Sequence, residues 1–346
     1  MPKKSAIKTS LFAAAEREQK LDRKGDLLST LNQHVNFVAL AAEIDHIAPR
    51  PSDKRGGRPP YPTELMVRVL VLQHLYNLSD EALEYQLLDR LSFQRFCGLR
   101  HSSTIPDANT LWVFRERISA AGGADALFDA VQRQLQQHGF IARGGQIVDA
   151  TLVEAPKQHF HKEEKVLLEQ AATPVDWTPA QRRQKDTEAS WTKKHGKSYH
   201  GYKLSISADR KYKLIRKRHI STAKEHDTNH FEAVLDRANT SRDVWADKGY
   251  EDQSREQRLN QGSWRLHIQH KAKKGKPPSD CQKRRNTRIA RPRARVEHVF
   301  GSICAMGGKA IRSIGLARAV FGLSIKAAVY NLRRLCSLKE GGVVPI

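Results

Sequence analysis

The spacing of apolar residues changes once along the chain, just after Gly139. From about residue 27 to 140 the period is helical. Leu65, Met66, Val69, Leu70, Leu72, Leu75 and Tyr76 recur at i, i+3 and i+4, which predicts a helix with Thr63 capping its start. Ser79-Asp80-Glu81 opens a second helix with acids in its first turn; it carries Leu83, Leu87, Leu88 and Leu91 and stops near Gly98. Pro106-Asp107 opens a third, through Leu111, Phe114 and Ile118. Short helices joined by tight turns suit either a helix-turn-helix dock on DNA or a packing and dimer module. The polar, basic residues 1–26 read as a flexible arm.

After Gly139 the alternation of strands takes over. Residues 146–155 are β-branched and alternate, which predicts a strand. A polar stretch, 156–198, reads as an exposed insertion with one short helix near 163–172. Residues 202–208 and 212–222 predict a hairpin about Asp209-Arg210-Lys211. Asp227 is placed to cap a helix carrying Phe231, Val234 and Leu235. Then follow a strand at 243–246, a helix at 253–260 and a strand at 265–270. A basic loop at 271–287, a helix at 292–306 with Pro292 in its first turn, and a helix at 316–335 complete the pattern. The expected architecture is therefore an all-α N-terminal domain, 27–140, and an α/β domain, 141–338, with a short tail at 339–346. Three consecutive strands followed by alternating elements give a mixed sheet flanked by helices, in the order of an RNase H-like domain.

Charge sharpens this picture. The 346 residues carry 60 Lys and Arg against 37 Asp and Glu, a net charge of +23, which points to an anionic partner, with nucleic acid leading. The excess is concentrated: residues 265–318 hold 15 Lys or Arg and only the acids Asp280 and Glu297. Candidate phosphate contacts are Lys283, Arg284, Arg285, Arg288, Arg293 and Arg295. Arg55 precedes, and Arg58 belongs to, a Gly-Arg-Pro core in the basic segment 54–60 that either enters an A·T minor groove or forms a rigid linker. The longest apolar stretch, 65–76, is too short to span a bilayer, and the start of the chain lacks the apolar core of a signal peptide, so a soluble cytoplasmic protein without a membrane partner is expected. The four cysteines are widely spaced and suggest neither zinc nor disulfides. His159 and His161 fall in the polar insertion, where solvated side chains are expected.

Within this basic chain, three carboxylates occupy apolar settings. Asp149 lies mid-strand in Ile147-Val148-Asp149-Ala150-Thr151-Leu152. Asp247 closes the strand Val244-Trp245-Ala246 before Lys248-Gly249-Tyr250. Glu297 borders the apolar face formed by Val296, Val299, Phe300 and Ile303. Taken singly, a strand-end Asp is a turn former and a helix Glu four residues after Arg293 is an ion-pair partner. Together, three acids brought close repel unless cations neutralise them, and oxygen-only ligands suit Mg²⁺ or Mn²⁺, with two ions expected.

The stretches GRPPYP, LYNLSDEALEYQLLDRLSFQRFCGL and PDANTLWVFRERI in the helical part, with IVDATLVEA, GYKLSISAD, STAKEHD, ADKGY and RARVEHVFG after it, resemble a bacterial insertion-sequence DDE transposase of the insertion-sequence-five group, over about residues 30–335. The resemblance implies an RNase H-like catalytic domain, a catalytic and metal-binding triad at Asp149, Asp247 and Glu297, cleavage at the ends of a mobile element, and joining of the freed 3′-hydroxyls to target DNA. It implies a dimer in a synaptic complex. Of the Tyr-Arg-Glu-Lys signature of related transposases, Arg293 and Glu297 are present, while Ala290 and Cys304 stand at the Tyr and Lys places. A silent DNA-binding regulator and an RNase H-like nuclease without strand transfer are the alternative readings.

Overall fold

The computed structural model describes residues 9–50, 59–156, 158–170, 172, 174–194, 196–272 and 277–345. Eight helices come first: α1 (Ala13–Lys24), α2 (Leu27–His34), α3 (Phe37–Ile47), α4 (Thr63–Tyr76), α5 (Asp80–Asp89), α6 (Leu91–Cys97), α7 (Ala108–Ala120) and α8 (Gly123–Gln137). Side-chain caps set several starts: Asp26 accepts from Leu28 N–H, Asn36 from Ala39, Ser79 from Ala82 and Asp107 from Thr110. Thr63 is not the cap expected of it. Pro62 takes that place, and the Thr63 hydroxyl instead donates to Asp45 and accepts from Arg50. Of the arm expected at 1–26, residues 1–8 lie outside the described residues; the rest is helical from Ala13 to Lys24, that helix buries no residue, and it is tethered by Arg95–Asp22 and Arg100–Glu18 ion pairs.

The sheet follows: β1 (Gln146–Glu154), then α9 (Lys162–Glu169) and α10 (Pro179–Gln184), β2 (Ser190–Lys194), β3 (Lys197–Asp209) and β4 (Ile215–Thr222). After two 3₁₀ turns come β5 (Asp243–Ala246), a 3₁₀ turn at Lys248–Tyr250, α11 (Gln253–Gln261), β6 (Arg265–Ile268), α12 (Asp280–Arg293), α13 (Arg295–Ala305) and α14 (Leu316–Glu340). β3 lies antiparallel between β1 and β4, while β5 and β6 continue parallel on the other side of β1; β2 pairs with the beginning of β3. This is a mixed, RNase H-like sheet. A tight turn at Gly145, with φ of +85°, leads into β1; a Cβ there would meet the Trp245 ring at 2.4 Å. Buried Asp209 closes the β3–β4 hairpin, accepting from the amides of Tyr212 and Leu214 and from Arg216 at 3.0 Å. Burial pushes this carboxyl up, against the Arg216 charge.

Alternation divides the sheet into two faces. Ile147, Leu204, Ile206 and Trp245 join a large apolar cluster with α13, α14 and the N-terminal helices, while Val148, Val244 and Ala246 join a smaller one with Phe231, Tyr250 and Leu259. Helix α14 packs on α2, α4 and α8 as well as on β3 and β4. Its buried Asn331 exchanges two hydrogen bonds with Ile215, at 2.9 and 2.8 Å, and its Lys326 donates to the carbonyls of His74 and Met306.

Four further expectations are corrected. Residues 156–198 are not simply an exposed insertion. Phe160, Trp177 and Asp186 are buried, β2 joins the sheet, and Glu164 accepts from Trp177 at 2.6 Å and Lys185 at 2.8 Å. Its charges pair with one another, so polar composition concealed a small core. Asp227 starts no α-helix; two 3₁₀ turns follow, and the cap of the first is His226. The basic loop of 271–287 is helical from Asp280 onwards, because Ser279 and Gln282 form a capping box. Pro292 then falls in the last turn of α12 rather than the first of α13, and its missing N–H accompanies the break at Ala294.

Candidate active site

The parallel pairing of β1 and β5 sets Gln146 beside Val244 and Ile147 beside Trp245. Continued by two residues, that register brings Asp149 beside Asp247, on the face of Ile147 and Trp245, with Asp149 mid-strand in β1 and Asp247 just past the carboxyl end of β5. Asp247 is fixed by its own turn: its Oδ1 accepts from Gly249 N–H at 2.7 Å. Asp149 Oδ1 accepts from Ala150 N–H at 2.9 Å, and its side chain is 19% exposed. Helix α13 packs on β1, which carries Glu297 to the same region.

The third carboxylate is held back. Arg293, at the end of α12, donates to Asp149 Oδ2 at 3.0 Å and faces Glu297 Oε1 at 3.5 Å. Its guanidinium stands between two of the three acids, and Glu297 remains 68% exposed. Among the described residues, no three His, Cys, Asp or Glu side chains are gathered closely enough to hold a metal ion. The structure thus sets Asp149 and Asp247 side by side and leaves Glu297 across a cation. The donor set fits Mg²⁺ or Mn²⁺: all oxygens, on two rigid strands and one helix, with a guanidinium where a positive charge is required.

Electrostatics agree with that fit. Burial pushes the Asp149 carboxyl up to about 6; the Ala150 amide and Arg293 oppose the rise, and Asp247 and Asp227 add to it. A divalent ion must compete with this proton. Mg²⁺ is therefore expected to raise the melting temperature clearly at about pH 7.5 and little at about pH 4.5, with the gain appearing as pH rises through about 6. Thermal unfolding with and without chelator checks this; an equal metal shift at both pH values excludes Asp149 as a ligand.

Two neighbours were not singled out for this site by the sequence. Asp227, read there as a helix cap, has its carboxylate 2.8 Å from the Lys203 ammonium and close enough to Asp149 to raise its pKa. Tyr250 is 2% exposed, and its hydroxyl has no hydrogen-bond partner among the described residues. Burial and the charges of Asp149, Asp227 and Asp247 hold its phenol far above its usual range. The runs Glu-His-Asp at 225–227 and Gly249-Tyr250 are visible in the sequence, but nothing in their spacing joins them to Asp149.

The candidate DNA contacts separate by environment. Arg284 and Arg288, with Arg291, are exposed at i, i+4 and i+7 along α12 and form a cationic stripe. Lys283 pairs with Asp280 at 3.0 Å. Arg285 donates to the Ile268 carbonyl of β6 at 2.8 Å, and Arg295 to that of Arg210 at 2.7 Å. Arg55 and Arg58 lie outside the described residues. Ala290 is half-buried and Cys304 exposed, so the side chains at the two departing signature positions offer no charge.

Two family models match the chain: a transposase domain of the DUF772 type over residues 15–117 and a transposase DDE domain over residues 142–332. Among solved structures, the chain is similar to a piggyBac transposase in a synaptic complex with hairpin DNA, with a TM-score of 0.43 and 13% identity, covering 92% of this chain and 76% of that one.

Proposed function

Because the chain belongs to the DDE transposase family and is a DNA transposase, we propose that it binds the terminal inverted repeats of an insertion sequence, cleaves at the element ends, and joins the 3′-hydroxyl ends to target DNA at Asp149, Asp247 and Glu297. The juxtaposition of Asp149 and Asp247 across the β1–β5 register, with Glu297 one guanidinium away, carries this reading. Two Mg²⁺ or Mn²⁺ ions, when bound, supply charge neutralisation at the transferring phosphate and activate the attacking oxygen. Asp149 and Asp247, from β1 and the end of β5, and Glu297, from α13, would hold them. Arg293, released from the two acids, turns to the phosphate. Buried Tyr250 and its apolar neighbours exclude water from behind the strands. No helix among the described residues is long and apolar enough to cross a membrane. Paired ends call for a homodimer in the synaptic complex.

Incubating the protein and Mg²⁺ with its flanking inverted repeats and a plasmid target tests the reading. Joined products are expected. Nicks alone mean a nuclease without strand transfer, and a mobility shift alone means a silent regulator.

The α12 stripe is proposed to bind the DNA backbone. Each lost phosphate contact should lower the slope of log K against log salt by about 0.9. Changing Arg284, Arg288 and Arg291 together to Ala should weaken binding to all duplexes alike and flatten that slope by about 2 to 3. An unchanged slope places the affinity elsewhere.

A further inference from the structure

A cavity of about 500 Å³ opens between α4, α5, α7, α14 and the segment that joins α13 to α14. It is the size of small-molecule sites. Its charges are unevenly matched. Asp80 is held by both terminal nitrogens of Arg115, and Glu116 is held in a bidentate pair by Arg318, at 3.0 and 2.9 Å. Three further cations on the walls, Arg183, Arg312 and Lys326, have no carboxylate partner among the described residues, and Glu81 is the one acid of the lining left to oppose them. Arg183 and Arg312 are exposed at the mouth; Arg312 is braced by the Asn77 carbonyl at 2.8 Å. Lys326 is 94% buried at the inner wall, where only the oxygens of His74, Met306 and Asn77 receive its ammonium. Burial lowers it to about 8, so an anion alongside stabilises its charge. The wall also carries Trp112, an indole left 46% exposed.

The cavity is tied to the catalytic strand. Ile311 N–H donates to the Glu154 carbonyl at 2.9 Å and Glu154 N–H to that of Lys309 at 2.8 Å, so the cavity's Ala310–Ile311 wall continues the sheet at the end of β1. Five steps of strand run from Asp149 to Glu154, about 17 Å at about 3.3 Å each. Measured along the axis of duplex DNA, which rises about 3.4 Å per base pair, this is about five base pairs.

We propose that this cavity receives one unpaired nucleotide of the DNA substrate, its phosphate held by Arg312 and Arg183 over the field of Lys326 and its base stacked on Trp112. A base stacked and paired within a duplex cannot turn its faces to a side chain in this recess, whereas an unpaired one has both faces free for stacking. The inference rests on the transposase reading.

The test uses the full chain, blunt duplexes, and the same duplexes with a short single-stranded extension containing 2-aminopurine. The extension is expected to tighten binding about tenfold, within the usual range of base stacking. Trp112→Ala and Arg312→Ala should each remove most of that gain while binding blunt duplex within about twofold of wild type. Quenching of 2-aminopurine should persist in Trp112→Phe and vanish in Trp112→Ala, a readout that general weakening of the fold does not reproduce. Overturning results are an extension that adds no affinity, a gain the variants retain, equal losses on blunt and extended duplexes, or saturation of the cavity by inorganic phosphate or a free nucleoside monophosphate that leaves extended DNA binding untouched. In each of these cases intact cleavage preserves the transposase reading. If neither duplex binds, that reading itself falls.

Discussion

Asp149→Asn, Asp247→Asn and Glu297→Gln are each expected to abolish strand cleavage, by a factor of about 10³ or more, while DNA-end binding stays within about twofold. Each change removes the charge of a proposed metal ligand and keeps its shape. Near-wild-type cleavage by any one variant removes that residue from the site. Asp149→Asn carries a second signature in stability. The folded carboxyl is raised to about 6 from an ordinary value near 3.8, so the fold favours its neutral form. That preference costs nothing below about pH 3.8 and grows as pH rises through about 6. The variant should therefore match wild type in metal-free acid and gain on it in melting temperature towards neutrality, less whatever is lost by leaving Arg293 with one partner fewer.

Arg293→Ala is expected to produce the second large effect, a fall in cleavage of about 10² to 10³, with a smaller fall in binding. Its fork reaches Asp149 and Glu297 together, which a lysine's point charge does not reproduce, so Arg293→Lys should recover only part of the loss. The informative measurement is the metal titration. If Arg293 occupies the place of a cation, its removal lowers the Mg²⁺ concentration needed for half-maximal stabilisation even as chemistry is lost. A raised requirement would show instead that Arg293 orders the acids for the metal.

Most of the sheet was legible because its signals are local. β1, β5 and the hairpin follow from alternation and from turn residues such as Asp209. The acids were legible for the same reason: Asp149 interrupts an apolar run and Asp247 ends one. What escaped depends on partners distant in sequence. The small core under 156–198 is held by Glu164–Lys185 and by Asp186, which receives the Tyr202 hydroxyl at 2.9 Å, and paired charges look solvated in a sequence. Of the α12 arginines, Arg284 and Arg285 fall in the stretch whose charge reads as a loop, 271–287; helical geometry puts Arg284 on a stripe with Arg288 and Arg291 and draws Arg285 away to β6. Asp227 looked like a cap because nothing near it in sequence records its approach to Asp149.

Helix α14 has a consequence for how the chain comes into being. The apolar cluster that contains Leu28 at one end of the sequence also contains Leu338 at the other, and α14 is the wedge between the early helices and the sheet. While a ribosome is still making residues before Leu316, the early helices have formed only part of their packing, and Ile215 waits for Asn331. A message interrupted before that helix should yield not a free DNA-reading fragment but an unfinished core with apolar flanks exposed, a substrate for chaperones and proteases. A DNA-binding surface and a completed sheet would then arise together, late in synthesis, in one cooperative step.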